Sequence, residues 1–491
     1  MTLIFSGNDY KYELEGVMKL FIPATLFKHI FADKIEKPEE DYVFARVKEY
    51  GSYSLLYVLC SYDGKKARRV CKISAGAEGL DADRELALSR LLFSAMKSIT
   101  GIDAKWGVIT GIRPVKRVNA MLSRGLDKEQ VYDILKEKYL CSEEKCDIAY
   151  KTAVTQKPVL DNLKGDSFSL YVSVPFCPTR CSYCSFVSQS IEGCMNLIPE
   201  YVNKLCNEIE YTAKITSKIG LKLDSVYFGG GTPTTLSAPQ LERLMRTIEE
   251  NFDMSSVREY TVEAGRPDTI TEEKLLTLKA NGCGRVSINP QTMSDSVLEA
   301  IGRKHTTAQF LESFKLARKI GFECINTDII AGLPTDTFES FKHTVDSLIE
   351  LAPENITVHT LSIKRAARLN HSEERSVLNN PADRMVEYAT KRLLGNGYLP
   401  YYLYRQKNML ENLENIGWTK PGYESIYNIY IMEEVQTILA MGAGGSTKLV
   451  DMESGRLQRV FNYKFPLEYN KHFELMLKRK NEIEEFYAEK E

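Results

Sequence analysis

From residue 169 onward, short apolar stretches alternate with longer segments whose apolar positions recur at the three-to-four spacing of a helix. The stretches 169–176, 224–228, 259–264, 284–289, 324–330 and 356–361 are predicted strands, and 198–219, 238–251, 271–281, 307–320 and 337–350 are the helices between them. Regular strand–helix alternation implies an α/β fold with a parallel sheet, because parallel neighbours need a long return connection. An open or partial (β/α) barrel and a doubly wound sheet both satisfy this pattern.

On either side the pattern changes. Residues 1–160 read as a separate α+β domain, with antiparallel strands expected at 10–21, 42–48, 52–62 and 66–73 and a hairpin turn at Asp63-Gly64. Helices are expected at 81–99, 127–139 and 143–158. The stretch Thr110-Gly111-Ile112-Arg113-Pro114 reads either as a turn entering a helix or as a contact for a carboxylate. After the central domain, 166–380, the regularity fades into a C-terminal region, 381–491. It carries a helix at 382–395, an aromatic stretch at 398–404, a helix at 431–440, a glycine-rich turn and a charged tail.

Length and charge narrow the function classes. A chain of 491 residues exceeds one ordinary domain. Lys plus Arg, 64, nearly balances Asp plus Glu, 66, which argues against a broad nucleic-acid or membrane footprint. No apolar run approaches the roughly 20 residues of a membrane span, and no targeting segment is evident. Eleven scattered cysteines agree with a reducing compartment, so a cytoplasmic protein is expected.

Three of those cysteines stand together in Phe176-Cys177-Pro178-Thr179-Arg180-Cys181-Ser182-Tyr183-Cys184-Ser185-Phe186, at the exit of the first strand of the α/β region. Three thiolates so close can hold three irons of a cubane cluster and leave the fourth open. A structural zinc site is the other reading, but it would want a fourth ligand, and Cys194 is the nearest spare thiol. The C-x3-C-x2-C loop resembles that of radical S-adenosylmethionine (radical SAM) enzymes, and Tyr183 fits their pattern. The resemblance implies a [4Fe-4S] cluster whose open iron is chelated by SAM, reductive cleavage to a 5'-deoxyadenosyl radical, and a curved, six-stranded partial barrel.

Further motifs fall at the carboxyl ends of later strands, where α/β sheets build their sites. Gly229-Gly230-Gly231-Thr232-Pro233 follows the second strand; its glycines let a ligand approach, and its amide hydrogens can receive a carboxylate, although a tight turn explains them equally. Glu263 closes the third strand, Gln291 follows the fourth and Asp328 lies near the end of the fifth, either as site residues or as helix caps. The set resembles the coproporphyrinogen dehydrogenase group of radical SAM. That resemblance implies the glycine segment for the methionine amino group, Glu263 for ribose hydroxyls, Gln291 and Asp328 for the nucleoside, Arg303 for the SAM carboxylate, and Tyr171 as the tyrosine before the cluster motif.

The N-terminal domain and Tyr401-Tyr402-Leu403-Tyr404-Arg405-Gln406-Lys407-Asn408 look like the HemZ-type branch of that group. The implied reaction is oxidative decarboxylation of coproporphyrinogen III propionates to vinyl groups, supplied with electrons by flavodoxin or ferredoxin. One departure bears on it. The dehydrogenases carry a fourth cysteine where this chain has Phe186, and the haem-chaperone branch also has Phe there. Two alternatives therefore stand beside the dehydrogenase: a haem chaperone, and a radical SAM methyltransferase that opens haem. Lys364, Arg365 and Arg368 suit propionate recognition or a solvated helix start. Tyr402, Tyr404 and Arg405 suit a tetrapyrrole wall or core packing. His359 ends the last strand and could face the site; His305 and His343 are expected at the surface.

Overall fold

The structure is a computed structural model in which residues 1–23, 25–35, 41–74, 80–184, 188–362, 381–406, 409 and 412–488 are described. The chain divides into two compact units, Met1–Lys151 with Arg405–Asn412, and Thr152–Tyr404 with Leu413–Glu491.

The first unit holds a five-stranded sheet of β1 (Thr2–Ser6), β2 (Lys28–Phe31), β3 (Tyr42–Tyr50), β4 (Tyr53–Tyr62) and β5 (Lys65–Ser74), in the order β2-β1-β3-β4-β5. The β4–β5 hairpin turns through Asp63 (φ 48°) and Gly64 (φ 70°), the paired left-handed residues that match strand twist. Two expectations are corrected. The segment at 10–21 is not a strand but a helix over Lys11–Met18, because Leu14, Val17 and Met18 form the helical stripe that is buried. The unanticipated β1 pairs parallel with both neighbours, so the sheet is mixed rather than antiparallel. Arg113 precedes a helix over Pro114–Ser123, with proline at the first position, as the turn reading expected.

The second unit carries an eleven-stranded sheet. Its core is β6 (Ser167–Val174), β9 (Lys222–Gly230), β10 (Glu259–Glu263), β11 (Arg285–Ser287), β12 (Cys324–Ala331) and β13 (Asn355–Thr360), each parallel to the next. A two-stranded pair, β7 (Phe176–Cys177) with β8 (Gln189–Ser190), lies outside this sheet. Because the strands add in chain order without reversal, crossovers of constant hand place all their helices on one face. A doubly wound sheet would reverse at a switch point, so the barrel-like alternative is the one that forms.

The two faces differ in chemistry. Val172, Phe228, Val262, Val286, Ile325 and Val358 are buried on one. Register puts Tyr171, Tyr227, Thr261 and Arg285 side by side on the other, with Glu263, Ser287, Asn326 and Asn355 in the next row. The sheet therefore encloses a polar inner surface.

Beyond the six strands the sheet continues through β14 (Leu399–Tyr404) and β15 (Asn415–Thr419) at one edge, and β16 (Thr437–Met441), β17 (Ser446–Val450) and β18 (Leu457–Phe461) at the other. β16 lies parallel to β6. The helix expected at 431–440 is thus corrected to a helix over Ile426–Glu433 followed by β16, whose every residue is buried. A strand buried on both faces shows a continuous apolar run, which periodicity does not separate from a helix.

Candidate functional site

The loop with the three cysteines leaves β6 at Val174 and is tied to the glycine-rich turn after β9. Gly231 N donates to Val174 O at 2.8 Å and Thr232 N to Phe176 O at 2.7 Å, while Thr232 Oγ1 donates to Cys177 Sγ at 3.5 Å. A Cβ on Gly231 would lie 2.6 Å from Phe176 O, and one on Gly230 would lie 2.8 Å from Ser173 Oγ. The glycines are required because two backbones meet here. The amides of Gly231 and Thr232 are thus bonded within the chain.

Across the loop, Ser182 N donates to Ile301 O at 3.1 Å and Thr179 Oγ1 to Gly302 O at 3.4 Å. Cys181 is buried and Cys177 and Cys184 half-buried. Burial pushes the Cys177 thiol up, against hydrogen bonds from Thr232 and Ser188. Among the described residues no three His, Cys, Asp or Glu side chains are placed to share a metal ion, so the thiols are present without a closed metal geometry. Cys194 is engaged elsewhere, its thiol donating to Ser190 O at 3.0 Å.

Arg303 is buried and donates to Asn289 O at 2.8 Å and Gly265 O at 2.9 Å, so it joins the segments that follow β10 and β11. It also acts electrostatically on Cys181 and Tyr183. Gln291 adopts φ 67° and continues the pairing beyond β11: its N donates to Asp328 O at 3.0 Å, and its O accepts from Ile330 N at 3.1 Å.

Hydrogen bonds link neighbouring strands across the inner wall. Tyr227 OH donates to Glu263 Oε1 at 2.7 Å. Burial raises the Glu263 carboxyl to about 7, with the Asp328 charge adding and the Tyr227 bond opposing. Asp328 accepts from Asn326 at 2.8 Å and Asn289 at 2.9 Å, and His359 Nε2 lies 3.8 Å from it. Burial would raise this carboxyl, but His359, Asn326 and Thr357 together hold it below the ordinary range.

The amino-end side of the lumen is filled from the C-terminal region. Glu259 accepts from Ser425 Oγ at 2.8 Å, and Arg285 and Asn355 donate to Tyr423 O at 3.0 and 2.9 Å. Tyr427 thereby enters the lumen and stacks on Tyr227, centroids 4.3 Å apart, with Tyr171 stacked 6.2 Å from each.

The structure therefore brings the cysteines, the glycine turn, Tyr171, Glu263, Gln291, Arg303 and Asp328 to one end of one sheet, and His359 faces them. Tyr402 reaches the same wall through Thr357, the register partner of Asp328, whereas Arg405 has other partners. Tyr402 is buried over Gly417 and donates to Thr357 Oγ1 at 3.2 Å. Arg405 is buried in the first unit against Trp106 and the Ile109 and Asn412 carbonyls. His305, expected at the surface, is only 2% exposed, whereas His343 is exposed as expected. Phe186, Lys364, Arg365 and Arg368 lie outside the described residues. Sequence reasoning missed Tyr227, Arg266, Asn289 and Tyr427. The signal for Tyr227 and Asn289 was the polar member of each alternating pair in Ser225-Val226-Tyr227 and Ser287-Ile288-Asn289; Arg266 and Tyr427 carry no local signal.

Comparison with known proteins identifies the family. The family model described as the radical SAM superfamily matches residues 171–348. The oxygen-independent coproporphyrinogen-III oxidase-like protein HemZ of Bacillus subtilis (strain 168) is 41% identical over 392 residues, 79% of this chain and 78% of that one. The heme chaperone HemW of Lactococcus lactis subsp. lactis (strain IL1403) is 32% identical over 322 residues, 65% of this chain and 79% of that one. The solved coproporphyrinogen III oxidase (HemN) of Escherichia coli aligns with a TM-score of 0.48 at 23% identity, over 66% of this chain and 73% of that one. With its three-cysteine loop, its parallel sheet and a relative this similar across most of both chains, the protein belongs to the radical SAM superfamily, in the coproporphyrinogen oxidase-like group that includes HemZ.

Proposed function

We propose that the protein is an oxygen-independent coproporphyrinogen III dehydrogenase-like enzyme that decarboxylates propionates to vinyl groups. The observation that carries this reading is a polar lumen beside the thiol loop, lined by Tyr171, Tyr227, Glu263 and Asp328 and filled at its far side by Tyr427. A close relative bearing the coproporphyrinogen oxidase-like name supports the substrate class.

The residues fit the family's cofactors, a [4Fe-4S] cluster and SAM. Cys177, Cys181 and Cys184 supply three thiolates on a loop that the glycine turn holds in place. When bound and reduced, the two cofactors together supply a hydrogen-abstracting radical. The chain's own groups bind and orient. Arg303 offers a fixed positive charge to the SAM carboxylate, Glu263 accepts from ribose hydroxyls, and Gln291 and Asp328 hold the nucleoside. Asp328, kept ionised by His359 and its amide neighbours, stays an acceptor. Stacked tyrosines exclude water from the amino-end side. Lys364, Arg365 and Arg368 are proposed to engage propionates, and a low-potential protein such as flavodoxin or ferredoxin to donate electrons.

A second reading, a haem chaperone on the same fold, is supported by Phe186 in place of a fourth cysteine and by the HemW likeness. Anaerobic reconstitution with coproporphyrinogen III, SAM and reductant separates the two. Carbon dioxide and vinyl products by mass spectrometry are expected; SAM cleavage without decarboxylation, together with stoichiometric haem binding, would overturn the dehydrogenase reading.

A further inference from the structure

Arg266 follows β10 in Gly265-Arg266-Pro267-Asp268 and is 3% exposed. Its Nε and Nη2 grip Asp268 at 2.9 and 2.8 Å, a two-pronged charged pair whose carboxylate is 18% exposed. The other side of the guanidinium faces the thiol loop. Both Nη atoms reach Thr179 Oγ1 at 3.2 Å, and Nη1 approaches Thr179 O at 3.3 Å and Cys181 Sγ at 3.9 Å. The guanidinium thus stands between one carboxylate and one thiol.

Stability alone does not account for this arrangement. Withdrawing a guanidinium from water is costly, and an ion pair in such a place is often no more stable than an apolar replacement. What the pair does provide is a fixed charge beside a sulfur. Charges and hydrogen bonds at cluster sulfurs are among the levers that set iron-sulfur reduction potentials.

Resting on the reading that Cys177, Cys181 and Cys184 hold the cluster, we propose that Arg266 and Asp268 form a charge pair that sets its reduction potential. The cation beside Cys181 stabilises the cluster after it gains an electron, and the carboxylate behind it offsets part of that effect. Opposite signs follow. Arg266→Gln removes the cation and lowers the midpoint potential, whereas Asp268→Asn leaves the cation uncompensated and raises it. Arg266→Lys, which keeps the charge without the fork, falls between wild type and Arg266→Gln.

The test is a redox titration of the full chain, reconstituted anaerobically and free of SAM. A titanium(III) reductant supplies the single electron and is itself oxidised to titanium(IV), and electron paramagnetic resonance reads the reduced cluster. With iron and sulfide contents equal to wild type, shifts of opposite sign support the charge pair. Shifts of the same sign, or none, overturn it. Should Arg266→Gln fail to fold or load, Asp268→Asn decides alone, and a midpoint at or below wild type refutes the proposal. A wild type that takes up no cluster would defeat the site reading and this proposal together, a result distinct from a loaded wild type whose variants leave the potential unmoved.

Discussion

The Tyr227 hydroxyl and the Glu263 carboxylate meet at 2.7 Å across the neighbouring strands β9 and β10, on the inner face of the sheet. Glu263 holds its proton to about pH 7, against an ordinary value of 4.5, chiefly because burial penalises its charged form. Between those values the folded chain binds a proton that the unfolded chain has released. The stability tied to this group is therefore fully present below the lower value and is lost as pH rises through the higher one. Glu263→Gln should remove this dependence, so its melting temperature gains on wild type between about pH 5 and about pH 8. Thermal melts of both proteins at the two pH values check this, and a constant gap would contradict it.

Single replacements of Cys177, Cys181 and Cys184 by Ala should each abolish cluster uptake, measured as iron and sulfide per chain after anaerobic reconstitution. Cys194→Ala should load normally, because its thiol is committed to Ser190 O. Full loading of any of the first three, or loss in the fourth, would reassign the ligands.

Gly231→Ala should lower stability by about 1 to 3 kcal/mol and impair cluster loading, since its Cβ would meet the backbone N and O of Phe176 at 2.8 and 2.6 Å. Gly395→Ala is the control. Nothing lies within 4 Å of its Cβ, and the change should stay within roughly 0.5 kcal/mol. Denaturant melts that rank the two variants equally would show that the loop and the turn are not held against each other.

Glu208 and Lys480 form an ion pair at 2.8 Å with both side chains essentially out of solvent. Glu208 also accepts from Gly442 N, Asn462 and Tyr469 OH at 2.8, 2.7 and 2.6 Å. Lys480→Met alone should cost about 3 to 5 kcal/mol because a charge is left buried, and Glu208→Gln with Lys480→Met should cost less. Equilibrium unfolding of the single and double variants measures the difference, and equal losses would deny the coupling.

The central architecture is legible in the sequence because local signals agree with tertiary demands. The helix Thr307–Ile320 opens with a Thr306–Gln309 capping box and ends at left-handed Gly321, so its bounds follow from short-range chemistry. The cysteine spacing and the strand-end positions of Glu263 and Asp328 are local in the same way. What escapes is set at long range. Thr437 to Met441 is a strand because β6 needs a partner there, not because its residues alternate. Lys11 to Met18 alternates like a strand at its start, yet folds as a helix around Leu14, Val17 and Met18. Arg266 looks like a turn residue until Cys181, 85 residues earlier, is brought beside it.

The pairing of β16 with β6 bears on biosynthesis. Ser173, at the root of the thiol loop, donates to the carbonyl of Ala443, 270 residues later in the chain. A nascent chain therefore exposes one edge of β6 on the ribosome until β16 has been made, and exposed strand edges invite pairing with other chains. Chains truncated before β16 are expected to aggregate rather than yield a smaller working barrel, and the site can receive iron in its finished form only after β16 has been made.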